Sequence, residues 1–114
     1  MLFRSDLAPR SGSEQRGRHP VIVMSSDAFN AVASWRSVVV VPLTTSERQL
    51  RIGPSAIAVP AHAAQLPSAS VALCHQITTL DRVNLVEPLG ALPSNVLREV
   101  ERGVMAALDI TSMT

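Results

Sequence analysis

A run of four consecutive valines, Val38 to Val41, constrains the fold of this chain more than any other feature. β-Branched side chains favour extended backbone, and a continuous apolar run is typical of a central strand that is buried on both faces. Shorter strand-like segments, separated by polar or proline-containing turns, occur at residues 1–7, 20–25, 56–59, 70–77 and 87–92. We therefore expect one domain over residues 1–114. Its first strand is expected to lack a few residues at the N-terminal end.

The clearest helix lies near the C-terminus. Residues 95–108 carry apolar side chains at helical spacing, and these are Val96, Leu97, Val100, Val104 and Leu108. Ser94 is a favourable N-cap residue. Gly103 lowers helix stability by about 1 kcal/mol relative to Ala and indicates close packing at that point. Several short strands followed by one helix predict the α+β class.

Arginine carries every fixed positive side-chain charge, because the ten basic residues include no Lys. Residues 1–51 hold seven Arg and four acidic residues, a balance of +3, and residues 52–114 hold three Arg and five acidic residues, a balance of −2. A guanidinium binds a phosphate bidentately, although a GC-rich genome that favours Arg codons is an alternative explanation. Aromatic residues make up only 3% of the chain, which predicts an aliphatic core and little stacking on nucleobases.

The cysteine and histidine pattern predicts neither a metal ligand nor a cofactor. Cys74 is the only cysteine, which suits a reducing cytoplasm, and its strand-like surroundings favour a buried structural role. Cys74, His62 and His75 lack the spacing of a structural zinc site. No apolar run approaches the roughly 20 residues of a membrane span, and no signal peptide is visible. A cytoplasmic protein without a membrane partner is therefore expected.

Five short motifs follow one another along the chain. They are Asp6-Leu7-Ala8-Pro9, Gly12-Ser13-Glu14-Gln15, Pro20-Val21-Ile22-Val23, Val41-Pro42-Leu43-Thr44-Thr45 and Gln76-Ile77-Thr78-Thr79-Leu80-Asp81. Each motif is weak alone, but in this order and at this spacing they resemble the MazF/PemK toxin family of ribosome-independent endoribonucleases. The resemblance covers the chain apart from its start.

This resemblance implies an SH3-like, CcdB/PemK-type small β-barrel of antiparallel strands with a C-terminal helix. It implies the toxin of a type II toxin–antitoxin system, acting as a homodimer and inhibiting translation and growth by cutting mRNA. Cleavage is expected to be independent of metal and cofactor, and specific for short sequences in single-stranded RNA. A MazE-like antitoxin is the expected protein partner, and its flexible tail is expected to block an RNA groove at the dimer interface.

One position departs from the family pattern. The family has an Arg directly before the proline of its second strand, where this chain has His19, with Arg18 one residue earlier. Neighbouring residues of an extended segment point to opposite faces, so Arg18 does not simply replace that Arg. An imidazole titrates at about 6.5 and can donate or accept a proton at neutral pH. We predict three catalytic residues: His19 as acid or base, Arg18 as phosphate clamp and Thr44 as hydrogen-bond donor.

Six other residues are predicted to bind RNA: Glu14, Gln15, Arg16, Thr45, Ser70 and Gln76. Structural alternatives stand beside these roles. Glu14 either orients the catalytic cation or forms a surface ion pair that contributes little. Ser70 and Gln76 either line the RNA groove or satisfy backbone groups, and His19 is alternatively a polar residue at the start of a strand.

Two further function classes stay open at this point. One is a CcdB-like toxin that binds DNA gyrase and cuts nothing. The other is a degenerate member that binds RNA and antitoxin but has lost turnover through the change at His19. The Gly-Ser-Glu-Gln motif and Thr44 favour the nuclease over the gyrase-binding toxin.

Overall fold

The computed structural model of the protein describes residues 2–7 and 17–111. Seven strands are present: β1 (Leu2–Leu7), β2 (Gly17–Val23), β3 (Ser37–Thr44), β4 (Ala56–Val59), β5 (Ser70–Leu73), β6 (Thr78–Asp81) and β7 (Leu85–Gly90). The helices are a short α1 (Asp27–Asn30) and a long α2 (Ser94–Ala107). Three 3₁₀ turns cover Glu47–Ile52, Cys74–Gln76 and Arg82–Asn84.

The strands pair in the order β4-β5-β3-β2-β1-β7, with every pair antiparallel. β3, which contains the valine run, is central as predicted. On one edge it pairs with β2, and on the other its first half pairs with β6 and its end pairs with β5. Pro42 falls in the gap between these last two pairings. The predicted class, antiparallel strands with a C-terminal helix, is confirmed, and the sheet of the described residues is not closed.

Both faces of the sheet carry apolar side chains. Ile22 and Val41 belong to the main core, in which they cluster with Val100 of α2. Their neighbours in sequence, Val21 and Val40, are fully buried in a second cluster. Because successive side chains of a strand point to opposite faces, this division is the one that a doubly buried central strand requires.

The C-terminal helix packs tightly through its glycine. A Cβ atom added at Gly103 would stand 2.7 Å from Sγ of Cys74 and 2.7 Å from Cγ1 of Ile57, so the predicted close packing is confirmed. The predicted N-cap at Ser94 is wrong. Pro93 occupies the cap position, no side chain caps the helix, and Ser94 is its first residue.

Three local predictions differ from the structure. β2 begins at Gly17, so Arg18 and His19 lie in a strand and not in the preceding loop. The strand expected over residues 70–77 ends at Leu73, where a 3₁₀ turn follows. β6 was not predicted and is formed by pairing with the first half of β3. No helix within the described ranges has the length and apolar character needed to cross a membrane.

Candidate active site

A cleft of about 180 Å³ opens where β3 ends. Its lining residues are His19, Pro20, Leu43, Thr44, Thr45, Leu66, Pro67, Ser68 and Ser70. The structure therefore brings together four of the residues predicted from the sequence to act in catalysis or RNA binding, and these are His19, Thr44, Thr45 and Ser70. They come from three separate stretches of the chain, so the cleft depends on the fold and not on one local motif.

Strand pairing explains how these residues meet. Val21 of β2 stands opposite Pro42 of β3, and this is the last pair of the β2–β3 ladder. His19 and Thr44 each lie two residues beyond that pair, and both line the cleft. Thr44 also pairs with β5, whose first residue is Ser70. β3 thus lies between β2, which carries His19, and β5, which begins at Ser70.

The two buried or half-buried hydroxyls of the cleft have opposite hydrogen-bonding roles. Oγ1 of Thr44 accepts a hydrogen bond from the backbone N–H of Ser46 at 3.2 Å. Its own hydrogen can therefore be donated to a ligand. Oγ of Ser70 donates to the carbonyl oxygen of Ser68 at 3.2 Å, which leaves its lone pairs to accept a hydrogen bond. Ser70 also shows the structural role that was its alternative, since it is buried and satisfies a backbone carbonyl.

Two buried leucines contribute to the lining of the cleft. Leu43 and Leu66 are almost fully buried in the main core, and Pro67 restricts the backbone beside them. The wall formed by Leu66, Pro67 and Ser68 was not predicted, because the sequence of a connection does not reveal where it packs. Among the residues that line the described cleft, His19 is the only one that can carry a charge.

One predicted site residue lies away from the cleft, and four others fall outside what the structure describes. Gln76 is in the 3₁₀ turn after β5 and does not line the cleft. Arg18 stands in β2, but its side chain is outside the described part of the structure, as are Glu14, Gln15 and Arg16. The roles assigned to these residues stay predictions.

Cys74 is a structural residue and not a nucleophile. Its side chain is fully buried, and its Sγ–H group donates a weak hydrogen bond to the carbonyl oxygen of Val100 at 3.5 Å. Burial raises the pKa of the Cys74 thiol to about 11, so the reactive thiolate is scarce at neutral pH. The described residues contain no group of three or more His, Cys, Asp or Glu that could hold a metal ion.

Comparison with known proteins assigns the family. Residues 2–108 match the family described as "PemK-like, MazF-like toxin of type II toxin-antitoxin system". The chain is 35% identical over 109 residues to "Endoribonuclease MazF2" of Mycobacterium bovis, covering 96% of this chain and 94% of that protein. The crystal structure of MazF from Deinococcus radiodurans superposes with a TM-score of 0.77 at 29% identity, covering 96% of this chain and 93% of that one. A MazE-MazF crystal structure from Deinococcus radiodurans gives a TM-score of 0.71 at 29% identity, with 96% and 93% coverage. The chain therefore belongs to the PemK-like, MazF-like toxins of type II toxin–antitoxin systems.

Proposed function

We propose that this toxin is a metal-independent, sequence-specific endoribonuclease that cleaves single-stranded RNA. The observation that supports this proposal best is the cleft in which His19, Thr44 and Ser70 converge. The printed name of the Mycobacterium bovis relative, an endoribonuclease, supports the same activity. Cutting mRNA would stop translation and growth, as a toxin of this class requires.

The proposed reaction uses a nucleophile that RNA itself supplies. The ribose 2′-oxygen attacks the neighbouring phosphorus, its proton passes to a base, and the bond from phosphorus to the 5′-oxygen breaks. The leaving 5′-oxygen takes up a proton from an acid, so the products are a 2′,3′-cyclic phosphate and a 5′-hydroxyl. Among the residues that line the described cleft, His19 has the side chain suited to act as general acid or base. It takes the proton from the 2′-hydroxyl, or in its protonated form gives one to the 5′-oxygen.

Thr44 and Ser70 serve different parts of the substrate. Thr44 has a hydroxyl hydrogen available, because its oxygen accepts the N–H of Ser46. It donates that hydrogen to a phosphoryl oxygen, on which negative charge increases in the transition state. Ser70, whose hydrogen is engaged by Ser68, accepts a hydrogen bond from a ribose hydroxyl or a base amino group. Thr45 extends the polar rim of the cleft for RNA binding.

The charge of the scissile phosphate needs a cation that the described cleft does not supply beyond His19. We assign this role to Arg18, whose guanidinium offers two parallel donors to a phosphate. Glu14, Gln15 and Arg16, which precede β2, are proposed to contact RNA beside it. Gln76 is retained as an RNA contact outside the cleft, in the 3₁₀ turn that follows β5.

We further propose that the toxin works as a homodimer in the cytoplasm and is inhibited by a MazE-like antitoxin. The MazE-MazF crystal structure from Deinococcus radiodurans supports this pairing, because its toxin chain shares the fold and 29% of the sequence. A gyrase-binding toxin and a non-cleaving relative are the rival functions, and the activity assay separates them from the nuclease.

The test is cleavage of a long, unstructured RNA by the purified protein in EDTA. We expect cuts at one recurring short sequence, with 5′-hydroxyl ends on the downstream fragments. Thr44→Val removes the donor at nearly constant volume and should slow cleavage about 100-fold, whereas Thr44→Ser keeps the hydroxyl and should retain most activity. Absence of specific cuts by the wild-type protein would refute the proposal and favour a binding toxin or a degenerate member.

A further inference from the structure

A second groove, of about 250 Å³, lies at the opposite end of β3 from the cleft. It is lined by Ala33, Trp35, Arg36, Asp81, Arg82 and Val83. β3 is eight residues long, and at about 3.3 Å per residue the two sites are separated by the length of that strand. The proposed catalytic chemistry uses none of these residues.

Trp35 is the only tryptophan of the chain, yet it is not part of the core. Its side chain is 48% exposed. The rings of Trp35 and Phe29 contact each other edge to face, with their centroids 4.2 Å apart and their planes at 83°. A large aromatic ring that is fixed in orientation and half open to solvent is a stacking platform, because ordering it further costs little entropy. The low aromatic content had predicted little base stacking, and the structure places its single indole at the surface.

Two guanidinium groups flank this platform. Arg82 donates from Nη2 to the carbonyl oxygen of Val32 at 3.3 Å, which ties it to the segment that leads to Trp35. Nε of Arg36 lies 3.4 Å from a carboxylate oxygen of Asp81. That ion pair is exposed and therefore weak, so a phosphate can compete for Arg36. With two Arg and one Asp, the groove carries a net charge of +1.

The backbone holds these parts in register. Ser37 of β3 pairs with Asp81 of β6, and the backbone N–H of Arg82 donates to the carbonyl oxygen of Arg36 at 2.6 Å. Asp81 additionally accepts the backbone N–H of Val83 at 3.0 Å. The backbone of the groove is therefore preformed, and Trp35, Arg36 and Arg82 project from fixed positions of it.

We propose that this groove binds one nucleotide of the single-stranded RNA substrate, at a position away from the scissile bond. A nucleobase stacks on Trp35, and Arg36 or Arg82 contacts the adjoining phosphate. A stacking ring beside cationic groups is the arrangement with which proteins hold single strands, and the net positive charge complements the RNA backbone. The inference rests on the proposed nuclease function, since it concerns the same substrate.

The test uses an oligonucleotide of about 12 residues that contains the mapped cleavage sequence and carries 2′-O-methyl groups, so that it binds without being cut. Binding should quench the fluorescence of Trp35 in the wild-type protein. Measured by anisotropy of a labelled oligonucleotide, Trp35→Ala should weaken binding about tenfold, and Trp35→Phe should recover part of the loss. Arg36→Ala should weaken binding. It should also reduce the slope of the logarithm of the binding constant against the logarithm of the salt concentration by about one.

Arg98→Ala is the matched control, because it removes the same charge from an exposed position of α2, and it should bind like the wild-type protein. Circular dichroism melting confirms that each variant is folded. The inference would be overturned if the wild-type protein cleaves RNA, its Trp35 fluorescence does not change when the oligonucleotide is added, and Trp35→Ala binds the oligonucleotide as tightly as the wild type. The proposed nuclease function would stand in that case. Wild-type protein that neither binds nor cleaves would overturn both. Quenching by an antitoxin segment and not by RNA would assign the groove to a protein and also overturn it.

Discussion

The buried thiol of Cys74 is expected to destabilise the protein at alkaline pH. Burial raises its pKa to about 11 from an ordinary value of 9.0. Between these two values the unfolded chain releases the thiol proton, whereas the folded chain retains it. Because the unfolded state then binds fewer protons, the free energy of unfolding falls as the pH rises. Below pH 9 both states hold the proton, and stability does not depend on this group.

The size of the effect follows from the same two values. One proton changes the free energy of unfolding by at most about 1.4 kcal/mol per pH unit. Over the two units from pH 9 to pH 11 the protein should therefore lose about 3 kcal/mol, a large part of a typical total stability. The composition isolates this effect, because the chain contains no Lys and no Tyr that would titrate in the same interval.

The assay is urea unfolding at intervals from pH 8 to pH 11, with a thiol-free reductant present. The fluorescence of Trp35 reports the transition. Cys74→Ala is the matched control: it loses packing at every pH, but its stability should stay nearly constant across the interval. The reasoning would be refuted if the free energy of unfolding falls by the same amount in the wild-type and Cys74→Ala proteins between pH 9 and pH 11.

Two further predictions concern packing and hydrogen bonds, and both are measured as changes in the free energy of unfolding. Gly103→Ala gains about 1 kcal/mol of helix propensity. The new Cβ atom is forced against Cys74 and Ile57, which costs about 1–3 kcal/mol. We therefore expect a net fall in the free energy of unfolding. The double variant with Cys74→Ala should show a smaller loss than the sum of the two, and strict additivity would contradict the contact. Asn30→Ala removes two hydrogen bonds to Ser25, of 2.6 and 2.8 Å, and should cost about 1–2 kcal/mol. An Asn30→Ala protein as stable as the wild type would show that these bonds contribute nothing.

Elements with a strong local signal could be predicted from the sequence. The valine run became β3 (Ser37–Thr44), and the helical spacing near the C-terminus became α2 (Ser94–Ala107). β4 has the predicted bounds, Ala56–Val59. Many of the side chains that favour these elements locally, such as Val40, Val59 and Val100, are also ones that the fold buries, so local and tertiary preferences agree there. Leu108 is an exception, since it follows α2 and is 54% exposed.

Elements that depend on distant partners were harder to predict. β6 (Thr78–Asp81) is short and polar, and it is extended because β3 offers it a free edge along Ser37–Val40. The strand expected to continue past Leu73 turns away instead, since the 3₁₀ turn Cys74–Gln76 lies under α2, with Cys74 in the main core. Neither event has a signature within the segment itself.

The candidate site was predicted in its strand residues and missed in its wall. His19 and Thr44 were singled out from the family resemblance, and both line the same cleft in the structure. The wall around Pro67 comes from a connection whose path is set by the burial of Leu66. The exposure of Trp35 also had no signal in the sequence, because a lone tryptophan in an aliphatic chain is normally expected inside.

Cleavage of a long RNA in EDTA by the wild-type, His19→Ala and His19→Arg proteins tests the central claim most directly. The account predicts specific cuts by the wild type and a loss of at least about 100-fold in His19→Ala. The account would be contradicted if His19→Ala makes the same specific cuts at an undiminished rate. It would also be contradicted if the wild-type protein does not cleave the RNA and His19→Arg does.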